Sequence, residues 1–261
     1  MTKLHLNEQV NSMKKAWLVS FIRLPLLFIS LMVLYILFHF IGGEFDFYLL
    51  PILSTLSFTI VNIGCFIFLH LLLKKEGLSL KKLIGFRSDF LIKDILFGFL
   101  WLFVLYIPFV LAVIGTMFLL YGTDLFQHFQ TVFVADEESI SLSVPRWFIW
   151  TTASISAVFP FLNAPIEELM YRGYSQPMFI NEYKKVWIGI VIPSIGFALQ
   201  HIILATTLQG TIVYAVAFFL WGIGSGIIYH KQKRLFPLIV CHFIVNITFG
   251  IIPIVFLVLG T

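Results

Sequence analysis

Seven apolar stretches, at about residues 16–41, 47–73, 91–121, 146–171, 186–208, 211–230 and 236–259, leave this chain few ways to fold. Each is close to, or longer than, the ~20 residues a helix needs to cross a hydrocarbon core. In lipid every backbone N–H and C=O must find its partner inside the protein, so such stretches become helices. The expected fold class is therefore all-α: one polytopic membrane helix bundle of about seven transmembrane helices, occupying residues 1–261 as a single integral-membrane domain. Composition agrees, with 60% hydrophobic and only 11% charged residues among 261 and a mean hydropathy of +0.99. No internal repeat, low-complexity linker or soluble domain interrupts the pattern, and residues 122–144 are polar enough to lie outside the membrane.

Basic residues orient the bundle. With the N-terminus in the cytoplasm, sixteen of the seventeen Lys and Arg residues fall on the inside, counting Arg23 just inside the first span, and only Arg146 lies outside. Glu44/Asp46 and Asp136/Glu137/Glu138 fall on the outer side. So lopsided a bias predicts an N-in, C-out topology. The net charge of +4 is dealt out in small clusters between apolar segments, which excludes nucleic acid as the partner it serves. Cys65 and Cys241 both lie in apolar sequence, against a disulfide framework. The polar first fifteen residues and the long apolar run after them do not fit a cleavable signal peptide. Chain length and the lack of a targeting extension point to a bacterial plasma membrane.

Into this apolar chain Glu167 and Glu168 are placed side by side, in Ala-Pro-Ile-Glu-Glu-Leu-Met-Tyr-Arg. An ionisable group at the centre of a membrane helix costs about 2.5–3.5 kcal/mol even on lenient insertion scales, so the pair reads as functional. Pro160 and Pro165 bracket Asn163 just before it and are expected to break the helix. Glu168 and Arg172 are four apart, share a helix face and can pair. Glu167 points about 100° away, with no local partner, and is expected to face a cavity. Two further spans carry His201, with Phe197 one turn before it, and His242 with Asn246 one turn after it.

Taken singly, each of these is ordinary: an ion pair at a helix end, a His or Asn bonded to a neighbouring helix. Three separate helices each carrying such groups are a different matter. A carboxylate beside a His can take a proton from water and return it to a leaving amine. A second His with an Asn can donate to a developing oxyanion. Equally, Glu167, His201 and His242 could be the three protein ligands of a zinc ion with an open fourth position. Both arrangements hydrolyse amides. His5, His39, His70, His128 and His230 lie in loops or near segment ends and carry little weight. Gly222, Gly224 and Gly226 read as a helix-packing face, since a phosphate loop would need a strand before it.

In order along the chain, Glu-Glu-x-x-x-Arg, Phe-x-x-x-His and His-x-x-x-Asn resemble the motifs of the CPBP (Abi) family of intramembrane endopeptidases, which includes the CAAX prenyl proteases. The resemblance covers residues 147–249, the motif-bearing core. It implies an endopeptidase whose site opens toward the cytoplasm and whose substrate is a peptide or a membrane protein in the bilayer. Processing of bacteriocin or leader peptides is one such role. By the same resemblance Glu167 and His201 activate water, His242 and Asn246 stabilise the oxyanion, and Glu168, Arg172 and Phe197 support the site. A metal-free glutamate mechanism is preferred to a zinc one, because no carboxylate is visible in the sequence beside either His to orient it as a ligand. The competing readings are a non-catalytic scaffold or bacteriocin-immunity protein that keeps the site, and a proton or solute transporter; the latter lacks inverted repeats.

One geometric tension accompanies this reading. At ~1.5 Å per residue, His242 lies about 9 Å in from Phe236, whereas His201 lies roughly 25 Å along from Lys184. The two meet only if the fifth span starts late, tilts, or keeps its early turns outside the bilayer, with Pro193 permitting a kink.

Overall fold

A computed structural model describes residues 3–40, 50–129, 132 and 146–259, and the described residues form helices and short turns with no strand. The helices are α1 (Lys3–Phe21), α2 (Arg23–Phe40), α3 (Leu50–Lys75), the single turn α4 (Leu80–Ile84), α5 (Leu91–Tyr121), α6 (Arg146–Glu168), α7 (Gln176–Tyr183), α8 (Val186–His201), α9 (Leu208–Gln232) and α10 (Phe236–Leu259). A π-helical stretch, Leu169–Ser175, joins α6 to α7. The acidic clusters at 44–46 and 136–138 lie outside the described residues.

Among the described residues five helical segments are long and apolar enough to cross a membrane: Arg23–Phe40, Leu53–Lys75, Leu80–Phe126, Val186–Leu204 and Leu208–Gln232. The difference from the expected seven falls on α6 and α10. α6 carries Thr151, Thr152, Ser154, Ser156, Asn163 and both glutamates, which dilute its apolar character. In α10 the apolar stretch among the described residues is the shorter Phe236–Thr248. Outward-facing Ile92, Leu96, Phe103, Ile107 and Leu119 on α5 are more than half exposed, a contiguous apolar surface that water would not tolerate and lipid would.

Three local expectations change. The first apolar stretch, 16–41, is divided at Ile22 into α1 and α2. Arg23, which begins α2, is completely buried in protein. Pro160 and Pro165 do not end their helix: both lie inside α6, and the irregular backbone comes after the glutamates, in the π-helical stretch. α8 ends at His201 rather than at 208. Its beginning packs on the short α7, where the space beside Gly189 is filled by Ile180 and the Gln176 carbonyl.

Close helix contacts explain the glycine face of α9. A Cβ on Gly222 would come within 2.8 Å of the Ser194 Cβ, and one on Gly226 within 2.9 Å of Ile190, so α8 crosses α9 nearly backbone to backbone. Hydroxyls knit the other side: Thr55 and Ser156 join α3 to α6 at 2.6 Å, and Ser30 and Ser57 join α2 to α3 at 2.9 Å. At its C-terminal end α6 and the residues after it join a buried cluster that includes Val61, Leu69, Ile166, Met170 and Leu235. That packing fixes the end of α6, and with it the two carboxylates.

Candidate active site

Glu167 and Glu168 occupy the last two positions of α6 and are both fully or almost fully buried. Glu168 accepts from Arg172 Nη1 at 3.2 Å, the one-turn pair that the spacing predicts. Its Oε1 also lies 3.0 Å from His242 Nδ1 of α10. Glu167 Oε2 lies 3.6 Å from His242 Nε2. The imidazole is thus held between two adjacent carboxylates, one facing each nitrogen. Because a carboxylate only accepts, Nδ1 donates to Glu168, and Nε2 is the nitrogen His242 presents toward Glu167 and the cavity.

Glu167 is not without a partner, as its local sequence suggests. Its Oε1 accepts from Arg23 Nη2 at 2.8 Å, a contact between side chains 144 positions apart. The same nitrogen also bonds Asn163 Oδ1 of α6 (3.3 Å), and the other two nitrogens of the guanidinium bond Asn62 Oδ1 of α3 (2.8 Å) and Gln200 Oε1 of α8. Asn62 also donates to Asn163 at 3.1 Å. Among the described residues the second carboxylate oxygen, Glu167 Oε2, has no hydrogen-bond partner.

His201 closes α8. Its Nδ1 lies 2.7 Å from the Phe197 carbonyl, so Nδ1–H donates and Nε2 keeps its lone pair. Phe218 stacks on the ring with centroids 3.8 Å apart, and Phe197 lies 4.6 Å away on the other flank. Phe197 in turn carries the Arg172 guanidinium over its face at 4.5 Å and approaches His242 at 6.1 Å. The residue that the sequence marks only by its spacing to His201 is therefore the spacer between Arg172 and the two histidines. Despite their different depths along their helices, His201 and His242 line the same cavity with Phe197 beside both.

A cavity of about 580 Å³ opens over this cluster. His201, His242, Asn246 and Asn163 line its polar end, and Phe58, Phe109, Phe159, Tyr214, Phe218 and Trp221 are among the largely apolar walls. Asn246 is buried, and its Nδ2 has no partner among the described residues. Glu167 sits behind this lining rather than in it.

A zinc ion held by Glu167, His201 and His242 would need the three side chains to converge on one point. Among the described residues no three His, Cys, Asp or Glu side chains converge to hold a metal ion. Glu167 Oε1 and His242 Nδ1 are engaged by Arg23 and Glu168. The atoms a zinc ion would take, Glu167 Oε2, His201 Nε2 and His242 Nε2, are not the engaged ones. Glu168 also gives His242 the carboxylate partner that the sequence did not reveal, which removes the sequence-based reason for preferring a metal-free site. Cys65 and Cys241 are buried and unpaired, as expected.

Arg23, Asn62 and Gln200 were not legible as site residues. The available signal was that each is a polar group embedded in apolar sequence, which demands a buried partner. Nothing in the spacing says which one.

No curated protein and no solved structure matches the chain. Residues 147–248 match the family model described as type II CAAX prenyl endopeptidase Rce1-like. That segment contains Glu167, Glu168, Arg172, Phe197, His201, His242 and Asn246, whereas Arg23 and Asn62 precede it. The three ordered motifs thus sit in a segment similar to the Rce1-like endopeptidases, a CAAX-protease type of the CPBP family that their order resembles.

Proposed function

We propose that the protein is an intramembrane endopeptidase that hydrolyses a peptide bond with water activated by Glu167 and His201. The observation that carries this reading is the asymmetry of the Glu167 carboxylate: Oε1 is held by Arg23, while Oε2 is unbonded beside a cavity lined by His201, His242 and Asn246. Water entering between Glu167 Oε2 and His201 Nε2 would lose its proton to the carboxylate as it attacks the carbonyl carbon. Asn246 Nδ2 would donate to the oxyanion, and so would His242 Nε2 when the ring carries a proton on both nitrogens, Nδ1–H remaining on Glu168. The proton then passes to the leaving amine, so that acid and amine products are both accounted for. Glu168 and Arg172 hold His242 and Phe197 in place throughout.

The largely apolar walls suit a peptide or membrane-protein substrate delivered from the bilayer. The bias of basic residues supports a cavity open to the cytoplasmic side of a bacterial plasma membrane. Cleavage of an internally quenched prenylated peptide by the purified protein in detergent tests the activity. Glu167→Gln and His201→Ala should each abolish cleavage in protein that remains monodisperse. Full activity in both variants would sink the reading.

A further inference from the structure

We infer that Arg23, in the part of the chain that precedes the family match, is the positioning residue of the glutamate, with Asn62 and Gln200 as its anchors. This rests on the reading of Glu167 as the base. Arg23 is completely buried, and so is Glu167. Each nitrogen of the guanidinium has an assigned partner on a different helix: Nε bonds Gln200 of α8, Nη1 bonds Asn62 of α3, and Nη2 bonds Asn163 and Glu167 of α6. A planar fork held at three corners cannot rotate, so the oxygen it contacts cannot rotate either.

The consequence is a choice between two chemically equal oxygens. By occupying Oε1, Arg23 leaves Oε2 to face His242 Nε2. Gln200 is the residue next to His201, so the same fork ties the position of the carboxylate to the end of the helix that carries the histidine. The other cation near the site, Arg172, cannot substitute, because its Nη1 is on Glu168 and its guanidinium lies over Phe197. Arg23 does not line the cavity and touches neither water nor substrate in this scheme. Its effect is on geometry.

Steady-state cleavage of the same quenched prenylated peptide, with the melting temperature of each variant in detergent, tests this. Arg23→Lys keeps the charge but loses the fork, and should lower kcat at least ~10-fold with KM within about twofold of the parent. Gln200→Leu and Asn62→Leu each remove one corner and should lower kcat by about threefold or more at unchanged KM. They carry the test if Arg23 variants fail to fold. A purely structural Arg23 predicts the opposite: kcat follows the folded fraction, and variants with an unchanged melting temperature keep it. Folded Arg23→Lys, Gln200→Leu and Asn62→Leu proteins with kcat within twofold of the parent, while Glu167→Gln is dead, overturn the positioning role alone. Retained activity in Glu167→Gln overturns both this assignment and the proposed mechanism.

Discussion

Arg23 Nη2 donates to Glu167 Oε1 at 2.8 Å, and neither side chain has any exposed surface. Removing one partner of a buried pair strands the other charge at about 3–5 kcal/mol, whereas removing both with apolar residues of similar volume is far less costly. Arg23→Met and Glu167→Leu should each lower stability by that order. The double variant should recover much of the loss. Thermal unfolding in detergent, read as a double-mutant cycle, checks it; strictly additive losses would contradict a direct pair.

Asn246 presents an unpartnered Nδ2 at the polar end of the cavity. Losing one oxyanion donor costs about 10²–10³ in kcat. Asn246→Ala should show that loss with an unchanged melting temperature, since among the described residues its Nδ2 makes no bond to another helix. A stability loss with intact turnover would instead mark Asn246 as interhelical glue.

Gly196 on α8 faces the backbone of α1 so closely that a Cβ would collide with the Ser20 carbonyl oxygen. Gly196→Ala should therefore destabilise by at least about 1–3 kcal/mol, because backbone cannot move aside as a side chain does. Gly115 on α5 has open space around its Cβ direction, and Gly115→Ala should be neutral. Melting temperatures of the two alanine variants would separate them.

A metal-free mechanism predicts that cleavage survives prolonged incubation with a strong chelator and that the purified, active protein contains much less than one zinc per chain by elemental analysis. Stoichiometric zinc whose removal stops turnover, with re-addition restoring it, would replace the glutamate mechanism with a metal one.

Orientation is open to direct measurement. Asp89, after α4, and Asp124, after α5, are both exposed at opposite ends of the long α5. An N-in topology predicts that Asp124→Cys is labelled in intact cells by a membrane-impermeant thiol reagent and that Asp89→Cys is labelled only after lysis. The native Cys65 and Cys241 are buried and should give a low background. The reverse labelling pattern would invert the bundle.

Much of the fold and part of the site are local properties, and these were legible. Hydropathy placed α5, α9 and α10 within a few residues of their observed bounds, because a helix in lipid is specified by a run of apolar side chains and little else. The pair Glu168–Arg172 was legible because i,i+4 residues on a helix meet whatever surrounds them. Glycines four apart on α9 announced a close crossing, though not the identity of α8 as the helix that crosses.

The adjacent glutamates, the two histidines and Asn246 stand out from the sequence by itself as the candidate chemistry-bearing groups, because polar atoms in apolar sequence are costly. What holds them was decided only by the tertiary structure. Arg23 read as one more cytoplasmic-side charge just inside the first span, Glu167 as a carboxylate without a local partner, and the prolines of α6 as a break in its helix. Pairings across 144 residues have no periodicity to betray them; they exist only once α2, α3, α6 and α8 pack together. The sequence thus determined which charges needed compensation, and the packing of four helices decided that Arg23 compensates Glu167 and leaves its second oxygen free.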